Sequence, residues 1–215
     1  MSEVGILVPV LDRPHRIEPL LQSIAAATDV PYQVYFGASD QPSIDEIRRL
    51  GAQLVIDEGG DEGSYAKRIN RLFRASSEPY VLLAADDLDF RPGWFFAARR
   101  VADQINGVVA VNDLYSVAGV HFFITRDYIE TLGGCIDEPG IVLHEGYRHA
   151  YCDDELRATA TARGRFGYAP DSIIEHLHPG IGKAASDHVY QIGAASMTQG
   201  WHVFTSRAHL WTNGF

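Results

Sequence analysis

The stretch Tyr80-Val-Leu-Leu-Ala-Ala-Asp-Asp-Leu-Asp89 decides the architecture. Tyr80 to Ala85 is a short, mostly apolar run of the kind that parallel sheets bury on both faces. It ends in three carboxylates within four residues, Asp86, Asp87 and Asp89. Like charges this close raise one another's pKa unless a cation sits among them. Hard divalent ions such as Mg²⁺ or Mn²⁺ prefer carboxylate oxygens and share their other positions with substrate phosphates. The competing explanation is a solvated acidic turn leading into a helix near Pro92.

Upstream, strand and helix patterns alternate. Gly5 to Leu11 reads as a buried strand. Ile17, Leu20, Leu21 and Ile24 repeat at helical spacing, which predicts a helix from about Glu18 with Pro19 in its first turn. Tyr32 to Gly37 is a second strand. Ser43-Ile-Asp-Glu46 reads as a capping box for a helix stopped by Gly51. Gln53 to Ile56 is a third strand, followed by a flexible loop with Gly59, Gly60 and Gly63. Ser64 can then cap a helix carrying Ile69, Leu72 and Phe73. This rhythm implies an open α/β sheet, in which ligands bind beyond the carboxyl ends of strands. Asp12, residues 38–40, Asp57 and residues 86–89 fall there.

Downstream, Gly107 to Val111 and Val120 to Ile124 read as strands, and Thr125 to Leu132 as a helix closed by Gly133-Gly134. Gly140 to Tyr151 reads as loop. Asp153 can cap a helix reaching Arg163, and Ile173-Ile174 leads into Glu175-His176-Leu177-His178. With no linker, repeat or low-complexity tract, residues 1–215 read as one domain.

Composition narrows the function. A formal charge of −10 disfavours general binding to phosphate backbones or anionic lipid. Cys135 and Cys152 are too few for a disulfide framework and form no CxxC zinc pair. The start lacks a basic n-region, and no apolar run approaches the roughly 18 residues of a membrane span. The expectation is a cytoplasmic chain without a membrane span.

Several segments, in order, resemble the GT-A-fold glycosyltransferases, most closely the inverting family-2 type. They are Ile6-Leu-Val-Pro-Val-Leu-Asp-Arg-Pro14, Ala66-Lys-Arg-Ile-Asn70, Val81 to Asp89 with Pro92-Gly-Trp94, Thr131-Leu-Gly-Gly134, Cys152-Asp-Asp-Glu-Leu156 and Ile174-Glu-His176. The resemblance spans about residues 4 to 180 and implies a mostly parallel open sheet flanked by helices. It divides the chain into a donor half (1–105), an acceptor half (106–180) and a C-terminal tail (181–215).

It also implies a nucleotide-diphosphate sugar donor, Mn²⁺ or Mg²⁺, and transfer to an acceptor hydroxyl with inversion. The acceptor is left open among a glycan, a protein, a small molecule and a modified DNA base, and the oligomeric state is open too. Asp87, Asp89, His176 and His178 are the metal candidates. Val10, Asp12, Arg13, Asp40, Asp57, Lys67, Asn70 and Asp86 are the donor-site candidates. Asp153 is the general base, with Asp154 as runner-up; the alternative role for Asp153 is N-capping.

Two departures stand out. The family's first metal-motif Asp is Ala85 here, and its acidic pair on the second strand is Tyr35-Phe36, with Asp40 and Asp57 as substitutes. A non-catalytic GT-A module is therefore a second reading. A sugar-nucleotidyltransferase is a third, opposed by the lack of glycine in Leu11-Asp-Arg-Pro-His15.

Overall fold

Four strands carry the first half: β1 (Val4–Pro9), β2 (Tyr32–Ala38), β3 (Gln53–Ile56) and β4 (Tyr80–Leu83). Four more follow: β5 (Leu88–Phe90), β6 (Val108–Asn112), β7 (Phe122–Thr125) and β8 (Phe166–His176). The computed structural model describes residues 2–56, 64–116 and 119–212. Among these, the strands join in the order β3-β2-β1-β4-β7-β6-β8-β5. Pairs β1–β2, β2–β3, β1–β4 and β6–β8 are parallel, while β4–β7, β6–β7 and β5–β8 are antiparallel.

The strands are apolar on both faces because both faces are covered. Val4, Ile6 and Val8 of β1 enter one core with Ile17, Leu20 and Ile24 of α1 (Pro14–Ala27). Helices α2 (Gln41–Arg49) and α4 (Trp94–Ile105) pack in that layer. Leu7 points the other way, into a second core with α3 (Tyr65–Ala75), α5 (Arg126–Leu132) and α6 (Cys152–Ala162). Each fully buried aliphatic side chain contributes about 1.5–3 kcal/mol.

Three local expectations need correction. Helix α1 begins at Pro14, a turn earlier than expected, because Pro14 suits the first helical position. Pro19 lies inside the helix, where it forfeits the bond to the His15 carbonyl; both residues are on the exposed side. Helix α2 is capped by Asp40, which accepts from the Ser43 amide at 2.9 Å, so Ser43 is inside the helix. Helix α6 is entered through Tyr151 in a left-handed conformation (φ 71°), so Asp153 is in its first turn and is not the cap.

Strand β5 was not legible in the sequence, and it positions the site. Its register with β8 pairs Leu88 with His176, Asp89 with Glu175 and Phe90 with Ile174. Along β8, Val111 of β6 faces Ala169 but Asn112 faces Ile173, so a bulge absorbs Pro170 to Ser172. Trp94 is fully buried and its Nε1 donates to Thr28 Oγ1 at 3.0 Å, whereas Phe96 is exposed. Trp94 is part of the core.

Candidate active site

A cavity of about 930 Å³ opens beyond the carboxyl ends of β1 and β4. That volume lies within the range of small-molecule sites. Asp86, Asp87, His176 and His178 line it together with Asp153 and Asp154. The buried Tyr65 hydroxyl feels the charges of both Asp87 and Asp153; burial and those charges push it well above its ordinary pKa.

The β5–β8 register brings Asp87 and His176 together. The Leu177 amide donates to the Asp87 carbonyl at 2.8 Å, and His176 Nε2 lies 3.3 Å from Asp87 Oδ2. Burial opposes ionisation of Asp87, but contacts with His176 and Tyr190 win and hold it well below the usual carboxylate range. Asp86 goes the other way: burial and repulsion from Asp87 push it up to about 7.

The cation that the sequence demanded among these carboxylates is present as Arg13. The guanidinium is buried, with NH1 3.0 Å from Asp86 Oδ1 and 3.8 Å from Asp87 Oδ2. On its other edge, Nε and NH2 donate to Asp187 at 2.8 and 2.7 Å. The Tyr190 ring lies 4.0 Å from its carbon, and the Tyr190 hydroxyl donates to Asp87 Oδ2 at 2.8 Å. Asp187 and Tyr190 belong to the start of α7 (His188–Ala195), so the tail folds over the cleft. Helices α8 (Met197–Arg207) and α9 (His209–Thr212) continue onto α6.

Asp87 and His176 still have capacity for a cation. Asp87 Oδ1 and His176 Nδ1 are buried and make no hydrogen bond. A carboxylate and an imidazole suit Mn²⁺ or Mg²⁺ that also takes phosphate oxygens. His121 stands beside them, its ring centroid 5.0 Å from that of His176, with neither ring nitrogen hydrogen-bonded. Burial and His176 push His121 down to about 4, so it is neutral.

Asp153, also in the lining, is pushed up to about 6 by burial and by Asp154. Asp154 is tied to Arg157 at 2.6 Å, which leaves Asp153 the less encumbered carboxylate.

Other expected residues fall elsewhere. Asp89 does not line the cavity; it pairs with Arg91 at 3.0 Å, opposite Glu175 on the sheet edge. His178 lines the cavity, and its Nδ1 accepts from the Gly180 amide at 3.0 Å. Val10 lines it too, its carbonyl accepting from Arg68 at 2.7 Å. Asp12 (φ 52°) is exposed; its amide donates to Asp40, and its carboxylate meets His188 at 2.9 Å. Lys67 and Asp40 are outside the lining. Asn70 is a structural clamp instead: its Oδ1 accepts from the Val142 and Leu143 amides and its Nδ2 donates to the Leu143 carbonyl. Asp57 lies outside the described residues.

Arg68, on sequence grounds either a counter-charge for a diphosphate or a solvated helix base, lines the cavity, whereas His121, Asp187 and Tyr190 were missed as site residues. Arg68 sits between hydrophobic helix positions like any solvated base, yet it is buried and bonds Ser39 as well as Val10. The other three carry no local signal.

This sheet, with its cleft beyond β1 and β4, is the GT-A glycosyltransferase fold. Neither a protein-family model nor a curated protein sequence matches the chain. Among solved structures, it is similar to the mannosyltransferase PcManGT from Pyrobaculum calidifontis in complex with GDP-Man and Mn²⁺ (TM-score 0.66, 19% identity, 95% of this chain and 64% of that one). Glucosyl-3-phosphoglycerate synthase from Mycobacterium tuberculosis, in complex with Mn²⁺, UDP-Glc and phosphoglyceric acid, gives 0.63 at 15% identity over 96% of this chain and 79% of that one. S. aureus TarS gives 0.62 at 14% identity over 82% and 37%. The chain thus spans less than two thirds of PcManGT and TarS.

Proposed function

We propose that the chain is a glycosyltransferase that moves a sugar from a nucleotide-diphosphate sugar to an acceptor hydroxyl with inversion. One observation carries this reading. A single cleft in a GT-A fold is lined both by the carboxylate–imidazole pair Asp87 and His176 and by Asp153.

Asp87 and His176 would hold a divalent cation. Such an ion offsets the negative charge of a departing diphosphate. Asp153 accepts the proton of the acceptor hydroxyl, and its upward shift makes it a stronger base than an ordinary Asp while leaving it ionised near neutrality. The start of α6 adds a favourable field for that charge. The PcManGT and glucosyl-3-phosphoglycerate synthase complexes, with GDP-Man or UDP-Glc and Mn²⁺, support the donor class. Among the described residues no helix is long and apolar enough to cross a membrane.

A second reading, a non-catalytic GT-A module, draws on Arg13. That residue already neutralises Asp86 and stands 3.8 Å from Asp87, a task that a metal would otherwise perform. Turnover of nucleotide sugars with and without Mn²⁺ separates the two. The enzyme reading expects Mn²⁺-dependent turnover that Asp87→Ala abolishes. No turnover of any nucleotide sugar by the wild type, with nucleotide binding intact, would establish the module.

A further inference from the structure

Between α5 and α6 the chain passes through residues 133–151 without a helix or strand. Irregular segments longer than about 12–15 residues are uncommon in compact folds and need something to hold them. Asn70 holds this one near its middle, and the Gly134 amide closes it onto the Ile141 carbonyl at 2.6 Å.

A third fastening is suggested by side chains. Cys135, Glu138 and His144 each offer a ligand atom, and the three atoms lie within 4.8 Å of one another. Cys135 and Glu138 come from the outgoing limb and His144 from the return. Cys135 is 1% exposed, and the other two reach it from the surface side, at 36% and 21% side-chain exposure. His144 Nδ1 is already 2.8 Å from Glu138 Oε1. The Nε2 edge of the imidazole lies close against Gly146, where a Cβ would come within 2.7 Å of it, and Tyr147 meets the ring edge-on at 5.9 Å.

The surroundings favour a cation. Asp137 and Glu155 stand nearby, joined through Arg207. These two, Glu138 and the single guanidinium of Arg207 all act electrostatically on Cys135, three acidic groups against one basic one.

We propose that Cys135, Glu138 and His144 form a site for a divalent transition metal, with zinc the best match to the S, O, N donor set, that clips the segment before α6. Zinc binds these donors at about 2.0–2.3 Å. Side-chain rotation closes the remaining gap. The ion displaces the thiol proton, which passes to solvent; a neutral imidazole ligating through Nδ1 keeps its one N–H on Nε2, so no second proton is released. None of the three residues lines the cleft, so the site is separate from the one that would hold the donor, and with three protein ligands a water would take the fourth position. Its effect reaches that site through the segment leading to Asp153.

The test uses the full chain without a histidine tag, stripped of metal and titrated first with Co²⁺ and then with Zn²⁺. The expected result is one equivalent bound, with a near-ultraviolet thiolate-to-cobalt charge-transfer band that Zn²⁺ abolishes. Cys135→Ser removes the band, while Cys152→Ser and His176→Ala keep it. His144→Ala and Glu138→Gln, which alter the more exposed ligands and spare the core, weaken Zn²⁺ binding by at least the ~10–100-fold that loss of outer partners alone causes. No charge-transfer band in the wild type overturns the proposal. So does a band that survives Cys135→Ser, or Zn²⁺ affinity unchanged in both His144→Ala and Glu138→Gln.

Discussion

Replacing Asp153 by asparagine is expected to stabilise the protein at neutral pH while removing its activity. Burial and Asp154 raise the carboxyl from 3.8 to about 6. A shift of roughly two units, at ~1.4 kcal/mol each, is a penalty of about 3 kcal/mol for ionising the group in the folded state. Water in the cleft reaches part of the side chain, so about 1–2 kcal/mol is the expected net effect. The sign follows from proton binding. Below pH ~4 the carboxyl is protonated in both the folded and unfolded chains, and the penalty is absent. As pH rises from about 4 to 6 the unfolded chain gives up its proton first, and stability drains from the wild type. Above pH ~6 the full penalty remains. Asparagine has no such titration, so the variant should gain on the wild type across that window and then hold its lead. Urea unfolding at several pH values between about 4 and 8 reads this directly. Sugar transfer by the same variant should fall by ~10²–10⁴-fold, the usual worth of a general base. A stability difference that does not change with pH, or a variant less stable than wild type at neutral pH, would refute the reasoning. Normal transfer by the variant would end the assignment of Asp153 as base.

His176→Ala should weaken Mn²⁺ binding, measured by electron paramagnetic resonance of the free ion; unchanged binding removes His176 from the ligand set. Asp187→Asn should tighten nucleoside-diphosphate binding several-fold by calorimetry, since Asp187 occupies two donors of Arg13 and α7 buries none of its own side chains. Equal or weaker binding would mean that Arg13 does not meet the diphosphate. Asn70→Ala should cost about 2–4 kcal/mol in chemical unfolding, because it strands the buried amides of Val142 and Leu143; a loss below about 1 kcal/mol would show that the segment is held elsewhere.

The layered sheet was legible because its signals are local. Apolar runs mark β1 and β4, Ser64 marks α3 as its cap, and Gly51 and Gly133 mark helix ends with positive φ. Asp87, His176 and Asp153 were legible through ordered motifs. What escaped depends on distant partners. Arg13 meets Asp86 across 73 residues and Asp187 across 174, and periodicity carries no information about either contact. Strand β5 is too short to show alternation, yet its pairing turns Asp89 to the sheet edge. Asn70 looked like part of a donor motif because its side chain had no visible target until residues 142–143 folded back on it.

The bulge in β8 separates two jobs within one strand. Before it, Phe166 to Ala169 are locked to β6; after it, Ile174 to His176 are locked to β5. While the buried Ser172 hydroxyl already donates to the Trp94 carbonyl at 2.8 Å, Pro170 and Asp171, both exposed, therefore act as slack between fixed anchors. An insertion there can be absorbed as a longer excursion, because neither anchor needs to move. The same change placed after Ile173 has no slack to consume: it slides the strand by one residue and presents Glu175 or Leu177 beside Asp87 in place of His176. Tolerance to length change along β8 should thus switch abruptly from permissive to lethal within a few positions, and that boundary marks where the strand stops being scaffold.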